Sequence, residues 1–248
     1  MGAVSTTLVA STVRHLVDPV LAVVFPSSCP QCRMAIDRPT LGPLCEDCWS
    51  RLPRHDGSVC ACGTPLTQNT SSCGRCRRGL SDFARGFSMG PYAGGLRLLI
   101  HELKFRGRRR VATRVADAIV ADTGANGLLS AGSVLVPVPL HPRRRRERGF
   151  NQSEVLADAI GRRCGLRVAS AALVRRKETA SQTGLSAAAR RANVAGAFAV
   201  RRRALVAGRV VVLVDDVVTT GATARACARA LRQAGAREVR LLTLARVD

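Results

Sequence analysis

The stretch Val211-Val-Leu-Val-Asp-Asp-Val-Val-Thr-Thr-Gly-Ala-Thr223 constrains this chain more tightly than any other. Four successive apolar side chains leave no polar face, which is the pattern of a short strand buried on both sides of a parallel sheet. The pattern predicts a strand over Val210 to Val214 that delivers Asp215 and Asp216 to the carboxyl edge of the sheet, where open α/β folds bind their ligands. Thr219, Thr220, Gly221, Ala222 and Thr223 then form a small, hydroxyl-rich turn opening a helix predicted over Ala222 to Ala234. Backbone N–H groups at a helix start, with the helix dipole behind them, favour an anion such as a sugar phosphate. Gly221 lets the backbone approach that anion closely. An acidic pair after a strand also suits a Mg²⁺ site in another phosphotransfer fold. The motif G-x-x-x-x-G-K-[ST] does not occur, so a P-loop nucleotide hydrolase would lack its lysine.

The rest of the second part of the chain alternates in the same α/β manner. Strands are predicted over Phe87 to Tyr92 and Val239 to Ala245, and the apolar run Ser133 to Leu140 ends in two prolines, as expected of a buried parallel strand that stops in a loop. Helices are predicted over Leu96 to Leu103, Val111 to Asp122 and Asn151 to Cys164, with a basic turn at Lys104 to Arg110. For the Asn151 helix the N-cap is Asn151 or Ser153, and Gly165 lies just past its end. Cys164 and Cys227 fall on predicted helices and read as small packed hydrophobes rather than nucleophiles. The composition changes near Gly79, which places a boundary between Arg78 and Phe83 and divides the chain into residues 1–28, 29–80 and 81–248.

Before that boundary, eight of the ten cysteines fall as Cys29-x-x-Cys32, Cys45-x-x-Cys48, Cys60-x-Cys62 and Cys73-x-x-Cys76. Thiolates two residues apart bite one tetrahedral Zn²⁺ from a tight turn, and two such turns supply four ligands. All eight are therefore candidate ligands of one or two structural zinc ions. The single-residue gap at Cys60 and Cys62 departs from the pattern and leaves the second site distorted, weakly occupied or lost. Spacing does not decide between sequential and interleaved pairing. Metal-ligand spacing rather than a disulfide framework argues for a reducing, cytoplasmic compartment. Trp49 reads as a core residue, not a base-stacking platform.

Arg14, His15 and Asp18 interrupt the mildly apolar start, which reads neither as a signal peptide nor as a membrane span. It is predicted as an amphipathic segment, with a helix through Thr12 to Phe25 broken near Asp18-Pro19, packed on the protein or in transient contact with a membrane surface. The formal charge is +22, and all basic residues except Lys104 and Lys177 are Arg. Such a balance favours polyanionic partners, although an Arg-biased coding sequence and a solvated surface account for it equally well.

Several further motifs occur in a fixed order with the Asp-Asp turn: His101-Glu-Leu-Lys-Phe105, Val136-Pro-Val-Pro139, Arg148-Gly-Phe-Asn-Gln152, and Thr179-x-x-Gln-x-x-Leu185 followed by Arg190-x-x-Asn193. From Cys29 to Arg246 this set resembles the ComF family, proteins associated with competence and DNA uptake that are similar to type I phosphoribosyltransferases and open with a double zinc ribbon. The resemblance implies an α/β fold with a parallel sheet flanked by helices behind a small zinc module. It implies phosphoribosyl pyrophosphate with Mg²⁺ as ligand. Asp215 and Asp216 would hold the ribose hydroxyls directly or through Mg²⁺, and Thr219 to Thr223 would wrap the 5-phosphate. Pro137, Val138 and Pro139 would form the pyrophosphate loop, and the segment Arg175 to Asn193 would close over it. Arg148 and Lys177 join the aspartates as candidate catalytic groups. The activity implied is transfer of phosphoribosyl to a nitrogen acceptor. The alternative is a non-catalytic nucleotide sensor that binds single-stranded DNA, with DNA-uptake proteins as further partners.

Overall fold

The computed structural model describes residues 18, 27–55, 58–66, 70–105, 109–123, 127–177 and 194–247. The amphipathic helix expected through residues 12–25 lies outside them apart from Asp18. That residue is buried and accepts hydrogen bonds from Thr40 N (3.1 Å) and Thr40 Oγ1 (2.9 Å). The motif residues 179–193 also lie outside.

Two metal-ligand turns and two short helices make the cysteine module. Helix α1 (Glu46–Ser50) starts at Cys45 and α2 (Gly74–Arg77) starts at Cys73, each placing one cysteine pair across its first turn. Cys29, Cys32, Cys45 and Cys48 bring their Sγ atoms within 4.8 Å of one another, and so do Cys60, Cys62, Cys73 and Cys76. Pairing is therefore sequential. Cross-pair distances are 3.5 Å for Cys32–Cys45 and 3.6 Å for Cys62–Cys73, against an Sγ–Sγ separation of about 3.8 Å for tetrahedral Zn–S bonds of about 2.3 Å. The one-residue gap does not spoil the second cluster because its turn is tighter. Gly63 N donates to Cys60 O (2.7 Å), whereas in the first turn Arg33 N reaches Cys29 O (2.8 Å) one residue further along. Both clusters fit structural zinc.

Strand β1 (Arg85–Pro91) is followed by α3 (Gly94–Phe105), α4 (Arg109–Thr123) and β2 (Val134–Pro137). Then come α5 (Pro142–Arg148), α6 (Gln152–Cys164), β3 (Arg167–Val168), β4 (Leu173–Arg175) and β5 (Phe198–Val200). The chain closes with β6 (Val210–Val218), α7 (Ala222–Gln233) and β7 (Glu238–Arg246). The main sheet is parallel throughout, in the order β1-β7-β6-β2-β3, and β4 and β5 form a separate antiparallel pair. This is the expected α/β class. Asn151 rather than Ser153 caps α6, its side chain accepting from Ser153 N, and Gly165 ends the helix in the left-handed region at φ 64°. The run from Ser133 forms a strand only as far as Pro137, because the prolines at 137 and 139 cannot donate to a ladder.

One buried cluster crosses the supposed divide between module and sheet. Cys29, Ile36, Leu44, Cys48 and Leu52 pack with Leu96, Leu99, Ile100 and Leu103 of α3 and with Val115 and Ile119 of α4. Trp49 is half-buried against this cluster, with the Arg114 guanidinium 4.0 Å from its ring centroid and Arg114 Nη2 2.6 Å from Glu46. On the other face of the sheet, Val211 and Leu213 pack with Ala224, Cys227 and Leu231 of α7. Cys227 is fully buried and Cys164 packs at the edge of the first cluster, both as apolar filler.

The second metal-ligand turn also covers the edge of the sheet. Gly86 N donates to Ala61 O (2.8 Å), and a Cβ on Gly86 would stand 2.1 Å from Cys62 O. A Cβ on Gly90 would stand 2.0 Å from Pro53 O. Backbone lies directly on backbone along β1, and only glycine permits it. Metal analysis of the purified chain is expected to give two zinc ions per chain. Because structural zinc contributes on the order of 10 kcal/mol to such modules and the core is shared, stripping both ions is expected to unfold the parallel sheet as well. Persistent amide-exchange protection in β6 and β7 after chelation would contradict the shared core.

Candidate sugar-phosphate site

Strand β6 runs to Val218, four residues beyond the expected Val214, so both aspartates lie within the strand rather than in a loop. Asp215 stands opposite Thr243 and Val217 opposite Ala245 of β7. Side-chain alternation changes phase across the pair. Val212 and Val214 pack into the first cluster, yet Val217 joins that cluster too and Val218 enters the second. Asp215 and Asp216 are 8% and 5% exposed, and the bend that follows is half-exposed.

Such burial demands partners for the carboxylates. Asp215 Oδ1 accepts from Ser153 Oγ (3.1 Å) at the start of α6 and from Asp216 N (3.0 Å). Asp216 Oδ1 accepts from Val217 N (2.8 Å). Lys104 Nζ, at the end of α3, stands 2.8 Å from Asp216 Oδ2 as an ion pair. Burial, and then the charge of Asp216, push the Asp215 carboxyl up to about 8, against the lowering effects of Asp216 N–H, Lys104 and Ser153.

Past Val218 the chain turns through Thr219 and Thr220 to Gly221, which adopts φ 71° and starts α7 with no side-chain cap. Thr220 Oγ1 accepts from Ala222 N at 3.4 Å. The first turn of this twelve-residue helix thus presents backbone N–H groups beside the aspartates, the arrangement that holds a phosphate. Pro137, Val138 and Pro139 flank the same strand end. Val138 N donates to Val214 O (2.9 Å), and Asn151 Nδ2 fixes Val138 O (3.0 Å).

Arg148 ends α5 near the pair. Its Nη1 donates to Gln152 Oε1 (2.6 Å); burial lowers its pKa, and the charge of Asp216 opposes that shift. Lys177 is exposed at the start of the segment 178–193 and donates to Ala195 O (3.4 Å) rather than to the aspartates. Lys104 and Ser153 were missed as site residues. Lys104 carried a signal, since it is one of two lysines in an Arg-rich chain and sits in the His101 to Phe105 motif. Ser153 had been weighed only as a cap.

A parallel sheet, an acidic strand end and an uncapped helix start behind two tetracysteine clusters define a phosphoribosyltransferase-type domain joined to a zinc ribbon. Family comparison agrees: residues 148–248 match the phosphoribosyl transferase domain and residues 20–77 the double zinc ribbon domain. The DNA utilization protein YhgH of Escherichia coli K12 is 37% identical over 232 residues, covering 90% of this chain and 99% of that protein. Competence protein F of Haemophilus influenzae is 31% identical over 82% of this chain and 90% of its own length. Competence protein ComFC of Bacillus subtilis is 27% identical over 77% and 79% respectively. The chain belongs to the ComF family.

The raised Asp215 pKa has a consequence for stability. The unfolded chain releases this proton near pH of about 4 and the folded chain near about 8, so the folded chain holds the extra proton between those values. The stability this group contributes is full below the lower value and is lost as pH rises through the upper one. Asp215→Asn removes that loss. Relative to the parent chain, its melting temperature without Mg²⁺ is expected to climb between pH 4.5 and 8.5, by about 2–4 °C per kcal/mol for a domain of this size. A pH-independent difference would show that Asp215 ionises as an ordinary surface carboxylate.

Proposed function

We propose that the chain binds phosphoribosyl pyrophosphate with Mg²⁺ and transfers the phosphoribosyl group to a nitrogen acceptor. One observation carries this reading: two adjacent buried carboxylates, Asp215 and Asp216, lie one bend before the N-terminus of α7. Ribose hydroxyls would donate to this carboxylate pair, and the 5-phosphate would take the helix N–H groups. The carboxylate pair also fits a hard, oxygen-seeking cation. When bound, Mg²⁺ would neutralise charge on the departing pyrophosphate.

Asp215 and Asp216 orient the ribose, and the backbone from Thr219 to Thr223 anchors its phosphate. The rigid Pro137 to Pro139 segment and Arg148 face the pyrophosphate end, with Lys177 arriving on the segment that follows it. In transfer, the C1–O bond breaks with its electron pair leaving on pyrophosphate while the C1–N bond forms. Preorganised cationic groups stabilise the charge that develops. Calorimetry with phosphoribosyl pyrophosphate and Mg²⁺ is expected to show saturable binding that the double variant Asp215→Asn, Asp216→Asn loses at least tenfold. Equal binding by both proteins would remove the site. Pyrophosphate release across purine and pyrimidine acceptors tests turnover, and silence with every acceptor would leave a binding role only.

The second reading, a nucleic-acid-binding role in DNA uptake, draws on the formal charge of +22 and on α5, where Arg143, Arg144, Arg145 and Arg146 are all exposed. The names of the relatives, DNA utilization protein and competence protein, accord with it. Affinity for a single-stranded oligonucleotide is expected to fall linearly with log salt, with a slope of about −0.7 per phosphate contacted. A salt-independent affinity would exclude this reading.

A further inference from the structure

Aromatic residues make up only 3% of the chain, so the placement of each one matters. Trp49, Phe83, Phe87, Tyr92, Phe150 and Phe198 are buried or half-buried, whereas Phe105 is 65% exposed. Its position is specific. It ends α3, directly after Lys104, whose ammonium meets Asp216 at 2.8 Å. The guanidinium of Arg148 stands over the Phe105 ring at 5.4 Å from its centroid, within range for a cation–π contact. His101, four residues earlier on the same helix face, holds the ring at a centroid distance of 4.8 Å and a tilt of 43°. The same Arg148 is tied to Gln152 Oε1 at 2.6 Å, so the group above the ring is itself anchored to the start of α6.

An exposed ring held from its own helix and by an anchored guanidinium is a preorganised planar surface, and planar π systems with a cationic neighbour are what nucleobases stack upon. The neighbouring Lys104 links the ring's position to Asp216 of the proposed sugar-phosphate site. From this arrangement we infer that Phe105, positioned by His101 and Arg148, is a stacking platform for the nucleobase of a ligand whose sugar phosphate occupies the Asp215–Asp216 site. The inference rests on the proposed sugar-phosphate site and adds the class of its second group, a planar aromatic base.

The test compares adenosine 5′-monophosphate with ribose 5-phosphate, its counterpart without a base, by calorimetry with Mg²⁺. The parent chain is expected to bind the nucleotide about tenfold more tightly than the sugar phosphate. Phe105→Leu should erase that ratio, leaving ribose 5-phosphate affinity and the melting temperature unchanged, and Phe105→Tyr should restore it. A 5′-phosphorylated oligothymidylate forms a third arm. A loss in Phe105→Leu confined to the oligonucleotide supports the platform and assigns the stacked base to single-stranded DNA. If ribose 5-phosphate binds but neither base-bearing ligand gains affinity from Phe105, the platform is wrong and the sugar-phosphate site stands. If none of the three binds, both are overturned.

Discussion

Two adjacent carboxylates taken out of water set the terms for the rest of this fold. Burying one ionised carboxylate costs several kcal/mol after relaxation, and a second like charge beside it adds repulsion in a medium of reduced dielectric. The chain resolves the conflict asymmetrically. Asp216 receives the Lys104 ammonium and the Val217 N–H, while Asp215, hydrogen-bonded to Ser153, has its carboxyl pushed up to about 8. One acid is neutralised by a cation and the other holds its proton near neutral pH. A divalent cation in the proposed site would compensate the paired charge better than a single ammonium does.

The zinc module is less an appendage than a wall. A segment this small and poor in periodic apolar residues does not fold on its own hydrophobic area, and metal ligation closes its turns. Burial raises the Cys29 and Cys60 thiols, but backbone N–H groups outweigh it and bring each to about 6, while burial pushes Cys48 and Cys76 of the same clusters up. Each cluster thus starts from a ready thiolate, and a bound metal would displace the protons of the other ligands. Once formed, the module presents Leu44, Cys48 and Leu52 to α3 and lays its second turn along β1. That contact also covers the outer edge of the parallel sheet, which would otherwise expose unpaired backbone groups.

Much of this was legible in the residues because the signals were local. Four apolar residues before Asp215 determine a buried strand, the cysteine spacings determine two metal turns, and Asn151 with Gly165 brackets a helix. Less legible was whatever depends on tertiary pairing. Nothing in Asp215-Asp-Val-Val218 announces that the strand continues through the carboxylates; pairing with Thr243 and Ala245 of β7 extends it. The short strands β3, β4 and β5 carry two or three residues each, too few for any period to register. Partners of the aspartates lie 62 residues away at Ser153 and more than a hundred away at Lys104, and such distances leave no trace in a single sequence. The need for glycine at 86 and 90 arises only from tertiary contact, with the backbone of Cys62 on one and of Pro53 on the other.

The same packing links the ribbon to the proposed sugar-phosphate site. Cys62 and Thr64 of the second metal turn, with Arg75 of α2, line a narrow cleft of about 40 Å³ whose other wall includes Gly221 and Arg225. Arg75 donates to Leu80 O and to Asp82, and Arg229 of α7 stands 3.9 Å from the same Asp82. The second ribbon thus backs onto the bend from which the helix N–H groups point. A phosphate site built from backbone donors has no long side chains to adjust its reach, so its precision depends on whatever holds the backbone from behind. Here that support comes from a metal-closed turn rather than from a larger hydrophobic layer, in a chain whose core is made of small aliphatic residues.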